Sequence, residues 1–151
     1  QADILSYMDV DLAASLDNII DLINAVIIDN YDLVFGSRLL YDSKISRSYI
    51  RELSSQTYNY LSRVILRHHF SDLQCGFKAT RASVFKKIAP CILDSYWFFD
   101  TELIIFSSVF NYKIKEIPVD WEESRYDKRK SKVNMLKDSF IFFFNLIKLK
   151  V

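Results

Sequence analysis

Short apolar runs alternate with stretches of helical periodicity along most of the chain, which predicts an α/β fold. Residues 4–8 form an apolar run of strand length, and apolar positions in 15–28 recur at helical spacing. A second apolar run, 32–36, ends at a glycine. Strand, helix and strand at this spacing predict a βαβ unit with a right-handed crossover between parallel strands. We therefore expect functional side chains at the carboxyl ends of these strands.

The same alternation continues through the middle of the chain. It predicts a polar loop at 42–48, a helix at 49–68, a loop at 71–78, a short helix at 81–88, a buried strand or turn at 97–99, a helix at 101–110 and a strand at 113–121. In the predicted helix at 49–68, the positions expected to be buried are Leu53, Tyr60, Leu61, Val64 and Ile65. Pro118 places the last strand at an edge of the sheet, because proline cannot donate to a ladder.

Composition narrows the class of protein. The 151 residues are half apolar, enough for one domain with a real core. A net charge of +1 argues against a nucleic-acid partner, for which a clearly basic domain is expected. Cys75 and Cys91 form neither a disulfide framework nor a zinc motif, and reduced thiols are expected. No apolar run is long enough to span a bilayer.

Two carboxylates follow the first apolar run directly. Asp9 and Asp11 stand one residue apart after Met8, at the predicted carboxyl end of a strand. A compact, doubly negative oxygen site suits Mg²⁺ or Mn²⁺, because Mg²⁺ takes one or two carboxylates and leaves its other positions to water and substrate phosphates. A solvated strand end is the alternative reading of this pair.

Several further motifs occur in a fixed order with this acidic pair. They are Asp9-Val10-Asp11, Gly36-Ser37-Arg38, the segment 72–78, Phe99-Asp100-Thr101-Glu102-Leu103, Glu116-Ile117-Pro118-Val119 and Ser131-Lys132-Val133. The series resembles the inverting glycosyltransferases that load a sugar onto a polyprenyl phosphate, dolichyl-phosphate β-glucosyltransferases above all, with dolichyl-phosphate mannosyltransferases as near relatives. The resemblance runs from Asp3 to about Val133.

The resemblance implies the C-terminal portion of a GT-A fold, the nucleotide-diphospho-sugar transferase fold, with a mixed, mostly parallel sheet. Residues 1–133 would form the catalytic portion, and the strands that read the nucleotide base would precede Gln1. The implied reaction moves glucose from UDP-glucose, or mannose from GDP-mannose, to dolichyl or polyprenyl phosphate with inversion. Two alternatives stay open: a related transferase acting on a saccharide hydroxyl, and a non-catalytic fragment that binds phosphate-bearing lipid.

The resemblance also assigns roles to the acidic pair. Asp9 would lie near the donor's ribose or phosphate, and Asp11 would be the firmer ligand of Mg²⁺ or Mn²⁺. Mannosyl relatives often carry a glutamine two places after the second aspartate. Ala13 stands there in this chain, which favours a glucosyl enzyme.

Basic residues are the candidates for binding anionic substrates. Arg38, Arg47 and Arg51 could contact phosphate, since the planar arginine fork suits its oxygens. By resemblance, Arg47 and Arg51 would bind the lipid phosphate, and Arg129 with Lys132 would close over the diphosphate during catalysis. For each arginine alone, a solvated surface position is the alternative.

Acceptor-side roles fall to two further segments. Asp100 is the candidate general base, or it positions the sugar or an arginine, or it caps a helix; Glu102 lies beside it at the acceptor end. In the loop before residue 79, Asp72 and Gln74 would bond sugar hydroxyls or fix the loop, and Lys78 could do either. Gly76 would permit an unusual backbone angle or close approach of substrate.

The C-terminal part has its own character. Residues 122–132 are dense in charge, and residues 134–151 form a predicted amphipathic helix, apolar most of the way round at 140–144. The helix could lie in the lipid headgroup region or dock onto the core. The expected location is therefore membrane-associated and cytosol-facing, at the endoplasmic reticulum in a eukaryote or the plasma membrane in a prokaryote.

Overall fold

The computed structural model describes residues 2–122 and 135–149, without the side chains of 135–139. These residues form an α/β arrangement with a mixed sheet. In chain order the elements are β1 (Ile4–Met8), α1 (Asn18–Ile27), β2 (Leu33–Ser37), β3 (Lys44–Ser46), α2 (Tyr49–Leu66), β4 (Phe77–Arg81), α3 (Ala82–Ile88), a 3₁₀ turn (Ala89–Cys91), α4 (Phe99–Val109), β5 (Ile114–Pro118), β6 (Asp120–Glu122) and α5 (Met135–Lys148).

The main sheet has the order β1-β4-β2-β5, and the prediction that it is mostly parallel is wrong. Strand β4 pairs antiparallel with both β1 and β2, and only β2 and β5 pair in parallel. Strands β1 and β2 point the same way, as predicted, but they are not neighbours because β4 lies between them. The carboxyl ends of β1, β2 and β5 still meet at one edge of the sheet.

The sheet carries an apolar layer on each face. On one face, Leu22 and Val26 of α1 pack against Val34 and Phe77. On the other face, α3 and α4 cover Leu33 and Phe35, the neighbours of Val34 in β2. Because successive side chains of a strand point to opposite faces, β2 is buried on both sides and reads as a continuous apolar run.

Helix α2 is turned the opposite way from the prediction. Its buried residues are Ser55, Asn59 and Ser62, whereas Leu53, Tyr60 and Val64 are more than half exposed. The polar face turns inward because Asn59 has partners there: its Nδ2 donates to the Ser55 carbonyl, and its Oδ1 accepts from the Leu73 backbone N–H at 3.0 Å. The predicted burial of Leu53, Tyr60 and Val64 is therefore wrong, whereas Leu61 and Ile65 are half-buried.

Four other boundaries differ from prediction. Strand β4 was not predicted, because its first residues, 77–78, belong to the predicted loop at 71–78. The predicted loop at 42–48 contains β3, and the predicted strand at 113–121 divides into β5 and β6, because β6 leaves the main sheet to pair with β3. Pro118 is the last residue of β5, an edge strand, as predicted. Residues 97–98 form a turn, one of the two predicted alternatives, and α4 begins at Phe99 instead of residue 101, which places Asp100 in its first turn.

Helix α5 docks on the body of the protein through one face. Leu146 is fully buried, and the Phe142 ring packs against Tyr58 of α2 and Phe98. The outward side remains apolar. Its exposed residues are Phe140, Ile141, Phe143, Phe144 and Ile147. Within residues 2–122 and 135–149, no helix has the length and apolar character needed to cross a membrane.

Candidate functional site

The carboxyl ends of β1 and β2 bring the sequence-predicted residues to one edge of the sheet. Asp9 follows β1, and Arg38 follows β2. Between them the loop before β4 approaches closely: the Asp9 backbone N–H donates to the Gly76 carbonyl at 2.8 Å. Strand β4 enters the sheet from this edge, so the predicted acceptor-side loop and the acidic pair are neighbours.

Gly76 leaves room for the Asp9 side chain. A Cβ atom on Gly76 would lie 2.2 Å from Asp9 Oδ1 and 2.4 Å from Asp9 Cγ, closer than atoms can approach. The backbone of Gly76 has no positive φ, so close approach is the reason for glycine here. The group that approaches Gly76 closely is the Asp9 carboxylate, whereas the sequence analysis expected a substrate to approach it.

Asp9 is in an electrostatically unfavourable position. Its side chain reaches the surface, but one side of the carboxylate is packed against the protein. This burial, with the negative charges of Asp100 and Asp11, raises the pKa of Asp9 to about 6, against the lowering effect of Lys78 and Arg38. The excess of negative charge at this edge is the kind that a divalent cation would balance.

Asp11 is exposed, and its Oδ1 accepts the Ala13 backbone N–H at 3.1 Å. Leu12, in the same turn, has a left-handed φ of 52°. Within the described ranges, no three His, Cys, Asp or Glu side chains gather into a metal-binding group. Two carboxylates fit Mg²⁺ nonetheless, since this ion commonly takes one or two from the protein and the rest from water and phosphate.

Arg38 and Asp72 form a bidentate ion pair beneath the site. Arg38 Nε donates to Asp72 Oδ2 at 2.7 Å, and a terminal nitrogen donates to Oδ1 at 2.9 Å. Asp72 is fully buried, and Arg38 is 12% exposed. Burial alone would raise the pKa of Asp72, but the charge and hydrogen bonds of Arg38 lower it to about 2. Asp72 therefore fixes the loop, one of its two predicted roles.

Glu116 supports the same loop from β5. Its Oε1 accepts the backbone N–H groups of Ser71 at 2.8 Å and Asp72 at 3.2 Å, and the Ser71 hydroxyl at 2.7 Å. Asp72 Oδ1 in turn accepts the Gln74 backbone N–H at 3.1 Å. These bonds hold the loop in one conformation before it enters β4.

Lys78 and Asp100 form a second ion pair, in contact with Tyr7. The Lys78 ammonium is fully buried and donates to Asp100 Oδ1 at 2.6 Å and to the Cys75 carbonyl. The Tyr7 hydroxyl donates to the same Asp100 oxygen, also at 2.6 Å. The Asp100 side chain remains 19% exposed. The buried Lys78 ammonium therefore connects Asp100 to the Cys75 carbonyl in the loop before β4.

Glu102 faces inward, two residues after Asp100 in the first turn of α4. Its Oε2 accepts the backbone N–H groups of Leu93 at 2.9 Å and Asp94 at 2.8 Å, and its residue is 5% exposed. It anchors the segment that leads into α4. The structure thus separates the two carboxylates of this motif: Asp100 borders the open edge and Glu102 holds the chain.

Two of the predicted arginines, Arg38 and Arg47, lie beside Trp121. The guanidinium carbons of Arg38 and Arg47 lie 5.6 and 5.9 Å from the centre of its ring. Arg47 is also paired with Glu52, to which its Nε donates at 2.6 Å, and its side chain is only 4% exposed. Arg51, half-buried, lies in the first turn of α2.

Asp9, Asp100 and the two buried basic residues are thus brought together, whereas Arg129 and Lys132 lie outside the described residues. Sequence reasoning missed the roles of Tyr7, Glu116 and Trp121. Tyr7 directly precedes Met8-Asp9, and alternation along β1 could have placed it on the opposite face from Met8. Nothing local to Glu116 indicates its distant backbone partners.

Comparison with known proteins identifies homologues. The chain is 35% identical over 138 residues to the glycosyltransferase AglD of Haloferax volcanii. The matched region covers 91% of this chain and 22% of that protein. It is 28% identical over 124 residues to a dolichyl-phosphate beta-glucosyltransferase of Dictyostelium discoideum, covering 78% of this chain and 38% of that protein. The Saccharomyces cerevisiae protein of the same name is 28% identical over 130 residues, and the matched region covers 78% of this chain and 39% of that protein.

These homologues confirm the resemblance predicted from the ordered motifs. No family model matches the chain. The chain spans between 22% and 39% of the length of the three relatives.

Proposed function

We propose that this chain is the catalytic portion of a glycosyltransferase that moves a sugar from a nucleotide donor to dolichyl or polyprenyl phosphate. The observation that carries the proposal is the meeting of Asp9, Arg38, Lys78 and Asp100 at one sheet edge, in a chain homologous to enzymes named for this activity. A GT-A fold is consistent with the mixed sheet and with the order of its motifs.

Asp9 and Asp11 would hold Mg²⁺ or Mn²⁺ at this edge. When bound, the ion supplies a Lewis acid that neutralises the departing nucleoside diphosphate. The position of Asp9 supports this role, because its carboxylate packs against Gly76 and lies near the negative charges of Asp100 and Asp11. Asp11, exposed next to it, provides the second carboxylate.

The reaction that fits this site is a single displacement. An oxygen of the acceptor phosphate forms the new bond to the anomeric carbon, and the bond from that carbon to the diphosphate oxygen breaks. The electron pair leaves with the nucleoside diphosphate, and attack from the opposite face inverts the anomeric carbon. No proton has to be removed from a phosphate that is already ionised, so Asp100 is required for positioning only. Glucose is the proposed sugar, because Ala13 replaces the glutamine common in mannosyl relatives.

The proposal is tested by sugar transfer with the full-length parent protein. Radiolabelled UDP-glucose and GDP-mannose are supplied in turn with dolichyl phosphate and Mg²⁺ or Mn²⁺, and lipid-linked product is counted with and without a chelator. Metal-dependent transfer from UDP-glucose is expected. Transfer from GDP-mannose alone would overturn the choice of sugar, and transfer only to a saccharide would establish the hydroxyl-directed alternative. No transfer with either donor overturns the proposal.

The proposed partner for the outward side of α5 is a membrane surface. The side chains of Phe143 and Phe144 are 41% and 58% exposed, and full burial of such a side chain contributes about 1.5–3 kcal/mol. An acceptor with a polyprenyl tail is itself held in a bilayer, which places the enzyme at its surface. Lipid contact here would position the protein as a peripheral helix does.

We expect the double variant Phe143→Ser/Phe144→Ser to reduce binding to anionic lipid vesicles about 10-fold or more, measured by flotation. The matched control, Ile20→Ser/Ile27→Ser, removes two residues of α1 that are 64% and 59% exposed. Helix α1 covers the opposite face of the sheet from α4, so this control should bind as the parent does. Equal losses in both variants would contradict a specific role for α5.

A further inference from the structure

The Asp100 carboxylate is held by groups from two different strands. Tyr7 of β1 and Lys78 of β4 are direct partners in the sheet register, so their side chains stand on the same face. Both reach Asp100 Oδ1, each at 2.6 Å. Helix α4 supplies Asp100 from the layer that packs over this face. Three separate elements therefore converge on one oxygen atom.

Both groups that donate to Asp100 are packed within the protein. The Lys78 ammonium is fully buried, with the rings of Tyr7 and Phe35 centred 5.8 and 5.9 Å from its nitrogen. A buried ammonium requires a paired charge, which Asp100 provides. Burial and the charge of Asp100 raise the pKa of Tyr7 well above its ordinary value, so its hydroxyl keeps its proton.

The two carboxylate oxygens of Asp100 differ in their hydrogen bonds. Oδ1 accepts both described hydrogen bonds, and no bond to Oδ2 is found within residues 2–122 and 135–149. The side chain is nonetheless 19% exposed, next to the edge that carries Asp9. Oδ2 is thus the atom left for a substrate hydroxyl.

We infer that Tyr7 is a positioning residue that, together with Lys78, fixes the orientation of the Asp100 carboxylate toward the sugar. The inference rests on the proposed function and deepens it. Tyr7 lies in β1, two residues before Asp9, which directly follows the strand, so the position of β1 affects both the acidic pair and the orientation of Asp100. Correct orientation of a group that contacts the transition state affects the chemical step more than substrate binding.

The variant that isolates this role is Tyr7→Phe. It removes the hydroxyl and keeps the ring, whose edge-on packing with Phe99 has a centroid distance of 5.9 Å. In the full-length protein we expect kcat for sugar transfer to fall about 10-fold, with KM for donor and acceptor within about twofold. Tyr58→Phe is the matched control. Its hydroxyl bonds the Thr101 hydroxyl at 2.7 Å on the same helix without touching Asp100, and kcat should stay within about twofold.

A double-mutant cycle separates positioning from general stability. If Tyr7 acts through Asp100, Tyr7→Phe should have no further effect on kcat in an Asp100→Asn background. An additive effect, or a loss equal to that of Tyr58→Phe, overturns the inference.

A crystal structure of Tyr7→Phe gives a readout that does not depend on activity. We expect the Asp100 carboxylate to rotate away from its parental position. An unmoved carboxylate overturns the inference even if kcat falls. If the parent protein transfers no sugar, the proposed function fails on that result, and the crystal structure still decides whether Tyr7 positions Asp100.

Discussion

Replacing Asp11 with Asn should lower sugar transfer by about 100-fold or more, a loss of about 2.7 kcal/mol of transition-state stabilisation. An amide oxygen carries no charge and binds a hard divalent cation less tightly than a carboxylate. The fold should be unaffected. Asp11 is exposed, and an asparagine Oδ1 can still accept the Ala13 N–H that Asp11 accepts at 3.1 Å. The measurement is transfer of labelled glucose as a function of Mg²⁺ or Mn²⁺ concentration.

The control for this prediction is Asp21→Asn. Asp21 is an exposed carboxylate in the first turn of α1, ten residues after Asp11 in the sequence, and its removal changes the net charge equally. We expect Asp21→Asn to keep parental activity and metal dependence. If Asp11→Asn also keeps them, Asp11 is not a metal ligand. A thermal unfolding curve for each variant excludes misfolding as the cause of any loss.

Replacing Asp72 with Asn should give the largest loss of stability, about 3–5 kcal/mol in the free energy of unfolding. The substitution leaves the Arg38 guanidinium, 12% exposed, without the negative charge that now accepts two of its hydrogen bonds. For a chain of this size the midpoint of thermal unfolding should fall by roughly 6–20 °C. Calorimetry at pH 7 provides the measurement.

The exposed pair of Lys115 and Asp29 is the matched control for the buried pair. Its nitrogen and oxygen lie 2.8 Å apart, close to the 2.7 Å of the buried pair, but its side chains are 37% and 47% exposed. Asp29→Asn should cost less than about 1 kcal/mol, because water screens an exposed pair. Similar losses in both variants would show that burial does not decide the contribution of Asp72.

The stability contributed by Asp72 should also depend on pH in a defined direction. Its pKa falls from 3.8 to about 2 on folding, so the ionised form is favoured in the native state. The contribution is fully present above about pH 4 and is lost as the pH falls toward 2. The difference in stability between the parent and Asp72→Asn should therefore be constant from pH 7 to about pH 4 and shrink below it. A difference that shrinks already at pH 6 would point to another titrating group.

Much of the candidate site was predictable because its residues come directly after strands. Asp9 and Arg38 each follow a run whose apolar character is local and easily read, and strands that point the same way bring them to one edge. The roles of Asp72, Lys78 and Glu102 were harder to predict. Each is a charged residue whose partner lies elsewhere in the chain. From the sequence such a residue is expected at the surface, but with its partner in place it is buried and fixes the chain around it.

The sequence by itself determined the five helices, the strands β1, β2 and β5, the acidic pair after β1 and the homology to glycosyltransferases. These follow from patterns within a few residues or from ordered motifs. Only the tertiary structure decided that β4 separates β1 from β2, that α2 turns Asn59 inward, and that Lys78 is buried against Asp100. The physical reason is that hydrophobic periodicity specifies which face of an element is apolar. It does not specify which distant partner will satisfy a polar group, and the free energy of burying such a group depends on that partner.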